Sequence, residues 1–477
     1  MTRRIVSLAL ITSLAGCNLA PPYSTPNPAI PPSWPIHDPA LLASERTLSS
    51  LDYRAVFTDP RLQRVIAQSL AYNQDVRLAL ANIAAARGLY RIQRSALLPT
   101  VSANGDVAVR YSPGGSSSGS STRGSGAGSS SSGEDLTTNY SADIGASAFE
   151  IDLFGRVRSL SNAALNTYLA TESAARATRL TLVADLANAW FSLAADRSLL
   201  AIAQDTVVSA RKSERLTKLR LDGGIAPRTD LRQAQTVRAA AESDLANLGA
   251  IVEQDHNALN LLAGSTVAEA DLPRSIESVE NTALAPSAGL DSSILLRRPD
   301  VLESEYRLRS TNAQIGAVRA AFFPRISLTG LAGLASGSLT GLFSSNAFSA
   351  AITPNISLPI FGGTNRGNLD YARAQREGSL ATYQKTLQSA FRDVANALAR
   401  RATIEQQIAA QRTLEAAARD TANLTDARYR GGVASFLGSL DAQRSLYAAR
   451  RSLAQTRLVR AQSVVATYRA LGGDPTL

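Results

Sequence analysis

Two periodicities divide this chain. From Val101 to Tyr111 the positions alternate: Val101, Ala103, Gly105, Val107, Val109 and Tyr111 fall on one face, and Ser102, Asn104, Asp106 and Arg110 on the other. Such a run predicts a strand with one apolar and one wet side. The pattern returns from about Tyr140 to Leu153, apolar at Tyr140, Ala142, Ile144, Ala146 and Ala148, with the parity shifting near Phe149. It recurs from about Arg325 to Ser336 and from about Ser349 to Ile360. Pro354 lies inside the last run and lacks an amide donor, which predicts a bulge or a later strand start there. Each run is near the ~9 to 11 residues that cross a bilayer when tilted.

The second periodicity is helical and long. No proline stands between Gly155 and about Leu221, and Leu182, Val183, Leu186, Ala189, Trp190 and Leu193 recur at helix spacing. At ~1.5 Å per residue such an element would be roughly 100 Å long. Gly223-Gly224 ends it, and Pro227 opens a partner reaching about Leu262. A matching pair runs from about Arg366 to Arg430, turns at Gly431-Gly432, and returns to about Leu471. These helices are rich in alanine and poor in aromatics, which predicts close packing in a thin wall. Shorter helices are expected at about Pro60 to Tyr72 and Gln74 to Leu98.

The architecture is written twice. Ala96-Leu97-Leu98-Pro99-Thr100-Val101 returns as Ala321-Phe322-Phe323-Pro324-Arg325-Ile326, Leu153-Phe154-Gly155 as Ile360-Phe361-Gly362, and Gly223-Gly224-Ile225-Ala226 as Gly431-Gly432-Val433-Ala434. The Phe-Gly to Gly-Gly gap is the same in both halves to within one residue, as a rigid element of fixed length requires. Four amphipathic strands cannot close into a barrel, and an open sheet in lipid leaves edge groups unpaired at several kcal/mol each. The strands must be shared among chains, as 8, 12 or 16 in a dimer, trimer or tetramer.

The chain divides into a signal peptide over 1–16, a proline-rich lipid-anchored tether over 17–56, and helices over 57–98. A strand pair over 99–154 carries a Ser/Gly loop over 112–133, and a long helical hairpin covers 155–264. A mixed segment over 265–298 is expected to wrap the helical body, with a helix over 299–323, a strand pair over 324–361, a second hairpin over 362–471 and a tail over 472–477.

The amino terminus, with Arg3, Arg4, the apolar run Ile5 to Leu14, and Leu14-Ala15-Gly16-Cys17, reads as a cleavable export signal. Cys17 is the single cysteine, so disulfides and cysteine-based zinc clusters are excluded. His37 and His256 have no metal-ligand spacing around them, and no nucleophile motif or phosphate loop is present, so neither a cofactor nor an enzymatic activity is expected. The net charge of +10 invites a nucleic-acid reading. The arginines are spread along helices without interleaved aromatics, which argues against it.

Leu296-Arg297-Arg298-Pro299-Asp300-Val301, Ala317-Val318-Arg319-Ala320-Ala321-Phe322-Phe323-Pro324, and Tyr429-Arg430-Gly431-Gly432 with Leu440-Asp441-Ala442-Gln443-Arg444-Ser445-Leu446 resemble the TolC-type outer-membrane factors. Within that family the chain is similar to the OprM-like (NodT-type) efflux lipoproteins, over nearly the whole mature length. The resemblance implies a mixed, mainly α fold in which a long α-helical coiled-coil barrel joins four membrane β-strands per chain, giving a 12-stranded β-barrel in a trimer. It implies lipidation at Cys17 in the outer membrane, with a large periplasmic part, and an exit duct served by a periplasmic adaptor and an inner-membrane pump of the RND type. By the same resemblance Asp230, Tyr429, Leu437, Asp441 and Arg444 line or latch a periplasmic gate. Asp441 and Arg444 share a helix face at i, i+3, a spacing that allows an ion pair. Gly223, Gly224, Gly431, Gly432 and Ser435 stand at the tips that would meet the adaptor. A duct for secreted proteins or metal ions has the same architecture, and a periplasmic coiled-coil scaffold that transports nothing is a further alternative.

Overall fold

The computed structural model describes residues 19–27, 30–35, 52–112, 135–287, 289, 291–344 and 346–474. The export signal, Cys17, and the Ser/Gly loop beyond Ser112 lie outside the described residues. In chain order the elements are α1 (Tyr53–Val56), α2 (Pro60–Tyr72), α3 (Gln74–Ser95), β1 (Val101–Ser112), β2 (Asp135–Glu150), α4 (Arg156–Asp222), α5 (Arg228–Ala263), α6 (Pro299–Ala320), β3 (Arg325–Ser336), β4 (Phe348–Ser357), α7 (Thr364–Arg430) and α8 (Phe436–Ala470). Short 3-10 turns cover Glu269–Asp271, Ser292–Arg297 and Gly341–Phe343. The two long helices α4 and α7 have the same length, 67 residues each. No helix among the described residues is long and apolar enough to cross a membrane.

The chain separates into two compact units, one of which holds residues 86–168 and 308–379 with the amino-terminal arm to Ser24. Its four strands form one antiparallel sheet in the order β1-β2-β3-β4. The registers Ala103↔Ile144, Ile144↔Ala332 and Ala332↔Ala350 carry one apolar face across all four strands. On that face Val101, Val107, Val109, Ile144, Phe348, Ile352 and Ile356 are all exposed. The register shifts once, between Ala146 and Phe149 of β2, where Ala148 takes φ 53° and its amide donates to Thr329 Oγ1 at 3.0 Å.

Pro354 corrects the expectation of an interruption: it pairs with Leu328 inside an unbroken register. β4 is an outer strand of the sheet, where one side of the backbone has no partner within the chain and a missing N–H is tolerated. β4 also ends at Ser357, opposite Arg325, the first residue of β3; beyond it no partner residue is left to pair. At the base of the sheet Glu150 accepts from Arg156 Nε at 2.7 Å and from Arg325 at 2.8 Å, tying β2, β3 and the start of α4. Phe154 stacks on Phe323 with ring centroids 4.7 Å apart.

In this unit the amino-terminal arm lies along α6. Arg319 donates to the Leu19 carbonyl at 3.2 Å and Asn312 to that of Pro21 at 2.9 Å. Arg376 fixes Asn312 by donating to its Oδ1 at 3.1 Å, and Arg309 lies over the Tyr23 ring. Gly316 sits beneath Ala20, where an added Cβ would meet the Ala20 backbone nitrogen at 2.7 Å.

The other unit holds residues 25–85, 169–307 and 380–477. Its core gathers Phe57, Leu62, Ile66, Leu186, Trp190, Phe191, Leu193 and Tyr468, all fully buried. Trp190 Nε1 donates to the Asp271 carbonyl at 3.1 Å, so burying the indole strands no donor. Tyr468 meets Phe57 edge-on at 5.5 Å. Asp59 caps α2, accepting from the Arg61 amide at 2.8 Å and pairing with its guanidinium. Burial works to raise the Asp59 carboxyl, but its bonds to Arg61 and that residue's charge outweigh burial and hold it below its ordinary value. Burial, then the neighbouring Asp196 carboxyl of α4, push the Asp255 carboxyl of α5 up to about 7.

Candidate functional site

The two Gly-Gly turns are built alike. α4 ends with the Gly224 amide bonded to the Leu221 carbonyl at 2.9 Å and the Ile225 amide to that of Arg220 at 2.8 Å. α7 ends with Gly432 N bonded to Tyr429 O at 3.0 Å and Val433 N to Arg428 O at 3.0 Å. Gly224 and Gly432 take φ of 70° and 75°, the left-handed conformation that a helix stop of this kind assigns to glycine. Pro227 and Ser435 then open the return helices, Ser435 without a side-chain cap bond. Just past each turn stands an exposed apolar side chain, Ile225 and Val433, 79% and 74% exposed. Sequence reasoning did not single these two out, although an apolar residue following both glycine pairs was visible in the repeat.

Beside the turns, a small core joins the two hairpins. Tyr429 of α7 is buried with Ala234 of α5 and with Phe436 and Leu440 of α8. Its hydroxyl lies 3.3 Å from Thr217 Oγ1 of α4, and its ring is 5.4 Å from that of Phe436. Arg220 of α4 places its guanidinium 4.4 Å from the Tyr429 ring centroid and donates to the Arg430 carbonyl at 3.0 Å. Tyr429 is thus buried between the repeats. Thr217 and Arg220, which the sequence did not single out, complete the contact. Arg220 stands three residues before Gly223 as Arg428 stands three before Gly431, a correspondence open to inspection in the repeat.

The other expected gate residues are not brought together with Tyr429. Leu437 is exposed, and Asp441 and Arg444 are both exposed on α8. The spacing of Asp441 and Arg444 does not produce an ion pair: among the described residues each extends into solvent, where a pairing at i, i+3 gains too little to fix two side chains. Asp230 lies half-buried in the first turn of α5, where a negative charge meets the positive end of the helix. Arg444 also lines a cavity of about 200 Å³ between α4, α5 and α8, beside Asp205, Asp244 and Tyr447. There Tyr447 donates to Asp244 at 2.9 Å, and burial, then that carboxylate, raise the phenol above its ordinary value. Among the described residues no group of three or more histidine, cysteine or carboxylate side chains could hold a metal ion.

Comparison with known proteins bears on these features. The outer membrane efflux protein family matches residues 65–265 and 290–473. The toluene efflux pump outer membrane protein TtgC of Pseudomonas putida is 41% identical over 478 residues, which cover 99% of this chain and 96% of the relative. A crystal structure of a membrane protein from Pseudomonas aeruginosa superposes with a TM-score of 0.85 at 36% identity, over 96% of this chain and 98% of that one. The open state of the MtrE outer membrane channel of Neisseria gonorrhoeae gives 0.83 at 34% identity, over 96% and 98%.

Proposed function

We propose that this chain, which belongs to the outer membrane efflux protein family, is the exit duct of a tripartite efflux assembly, working as a trimer with a periplasmic adaptor and an inner-membrane pump. One observation carries the oligomeric part. β1 and β4 are the two ends of an open sheet whose exposed face is apolar, so within a single chain each leaves a row of backbone groups unbonded. Edge-to-edge pairing of β4 with β1 of the next copy removes both rows. Three copies then give twelve strands, wide enough for an aqueous bore.

The duct carries no catalytic chemistry of its own, and solutes leave through it down the path the pump sets. The toluene relative makes apolar organic molecules the first solutes to test. Cys17 is the point of lipid attachment, and acyl chains there add to the hold of the barrel on the membrane. The tips at Gly223, Gly224, Gly431, Gly432 and Ser435, with the exposed Ile225 and Val433, are the surface offered to the adaptor.

The gate closes where Tyr429, Thr217 and Arg220 clasp the two hairpins. Asp230 on α5 and Leu437, Asp441 and Arg444 on α8 complete the gate; a ring of Leu437 is a dry constriction, and rings of Asp230 and Asp441 disfavour anions. Moving such a gate from closed to open takes a differential affinity of about 5.5 kcal/mol, within reach of an adaptor docking at several tips.

The test is purification of the full chain in detergent, followed by mass measurement and reconstitution in planar bilayers. A trimer that conducts ions is expected. A stable, folded single copy in buffer without surfactant would overturn the proposal.

A further inference from the structure

The helices α4, α7 and α8 each bury one face in the larger unit against the segments 30–35, 52–57 and 265–298. On α4 this face carries Trp190, bonded to Asp271. On α7 it carries Phe391, 5.1 Å from Trp34, and Arg401, which donates to the Pro286 carbonyl at 3.2 Å. On α8 it carries Arg460, which donates to the Glu280 carbonyl at 2.9 Å, and Tyr468 against Phe57. At 3.6 residues per turn, Thr181 and Asn188 stand about opposite Trp190, Arg392 and Asn396 more than a quarter-turn from Phe391 with Arg400 opposite it, and Ala466 and Arg469 away from Tyr468.

These residues from the uncovered faces line one cavity of about 550 Å³. Its charges are four guanidinium groups against two carboxylates, Asp300 and Asp393. Arg298 is held by Asp300 at 2.7 Å and Arg392 by its neighbour Asp393 at 2.8 Å. Arg469 reaches only the fringe of Asp185, at 3.9 Å, and Arg400 donates to the amide oxygen of Gln407 at 2.9 Å with no carboxylate in ion-pair range among the described residues. The cavity wall therefore keeps positive charge that the protein does not neutralise. It also keeps an unused acceptor: the Oδ1 of Asn188 is shut off from solvent and has no hydrogen-bond partner among the described residues. A second cavity of about 520 Å³ shares Ala177 and Thr181 with it and is acidic, lined by Asp75, Asp185 and Glu303. The two neighbouring cavities therefore carry opposite charge.

We propose that Arg392, Arg400 and Arg469 form a binding site for the anionic group of a solute, a carboxylate, sulfonate or phosphate, on the face of the larger unit that becomes the bore of the duct. This rests on the trimeric duct proposed above, with the wrapped face taken as its outside and the bare face as its inside. Guanidinium groups suit the role because each offers a planar fork of donors to an oxyanion. Their partial exposure makes the site weak and quickly exchanging, as a stage on a transit path requires.

The test uses tripolyphosphate as a polyvalent anionic probe on the detergent-purified full chain. In planar bilayers at low salt, where screening is least, tripolyphosphate should block the wild-type potassium chloride current. It should also raise the melting temperature of the solubilised protein. The triple variant Arg392→Gln, Arg400→Gln, Arg469→Gln should lose about tenfold in blocking affinity, from three exposed charge pairs, and the melting shift should vanish. Arg400→Gln alone, at a side chain without an ion-pair partner, gives the same comparison at smaller amplitude if the triple variant fails to assemble. Equal block and equal melting shift in wild type and variants would overturn the site and leave the duct intact. A wild type that passes no current would overturn the duct, and the melting shift would still decide whether the arginines bind the anion.

Discussion

Replacing Arg220 with alanine tests the clasp between the hairpins at its most economical point. The side chain makes two contacts to the second repeat, the face of the Tyr429 ring at 4.4 Å and the Arg430 carbonyl at 3.0 Å. A cation over an aromatic ring at a partly exposed site contributes about 0.5–1 kcal/mol, and an exposed charged hydrogen bond about 1 kcal/mol. The variant therefore weakens each clasp by roughly 1.5–2 kcal/mol. Three clasps opening together would lose about 5 kcal/mol, close to the ~5.5 kcal/mol that moves a two-state equilibrium from one extreme to the other. Tyr429→Phe is the graded companion. It removes the 3.3 Å contact to Thr217 and leaves ring packing intact, and Thr217 Oγ1 keeps its bond to the Ser213 carbonyl at 2.8 Å, so no buried hydroxyl is orphaned. Its effect should be about 1 kcal/mol per chain. Single-channel recording of purified trimers is the assay: Arg220→Ala should stand open for most of the record, and Tyr429→Phe should open more often than wild type. An Arg220→Ala trimer with intact mass and wild-type open probability would refute the assignment of the clasp as the gate.

Two further expectations follow from the packing. Asp255 has its carboxyl raised to about 7 by burial and by Asp196, so the folded state holds a proton that the unfolded chain has lost above its ordinary value of 3.8. Stability from this group is present in acid and falls as pH rises through 7; Asp255→Asn should flatten that fall and gain on the order of 1 kcal/mol at pH 8 once solvent screening is allowed for, read from melting temperature against pH. Gly316→Leu drives a side chain into the Ala20 backbone, which an added Cβ would already meet at 2.7 Å. It should cost about 1–3 kcal/mol and expose the arm, seen as faster proteolysis between Leu19 and Ser24, whereas unchanged cleavage would show that the arm does not depend on this close approach.

The strands were legible because a sheet between lipid and water must alternate, and the parity shift near Phe149 marked the bulge that the structure places between Ala146 and Phe149. β2 begins at Asp135, earlier than the alternation shows, because its first residues pair with β1 as far as Ser112↔Asp135. Pro354 misled because a local rule about amide donors takes no account of where a strand lies in the sheet. The long helices were legible from the absence of proline and the doubled Gly-Gly stops. The clasp was half legible: Tyr429 came from the family resemblance, whereas Thr217 and Arg220 belong to the other repeat, more than two hundred positions away along the chain. The arginine cavity was invisible for the same reason, since residues 298, 392, 400 and 469 share no spacing that a linear reading could join.

The equal lengths of α4 and α7, 67 residues each, constrain how such a chain can change. One extra residue in either helix advances all that follows by ~1.5 Å and turns it by ~100°. Thr217 would swing away from Tyr429, and one glycine turn would stand higher than its twin. Lengthening is tolerable in steps of about seven residues, which nearly restore the facing side chains, and only when the ascending and descending arms of both hairpins change together. Natural variation in duct length should therefore come as matched sets of four insertions, and a single unmatched one should mark a molecule whose two tips no longer meet a partner on one plane.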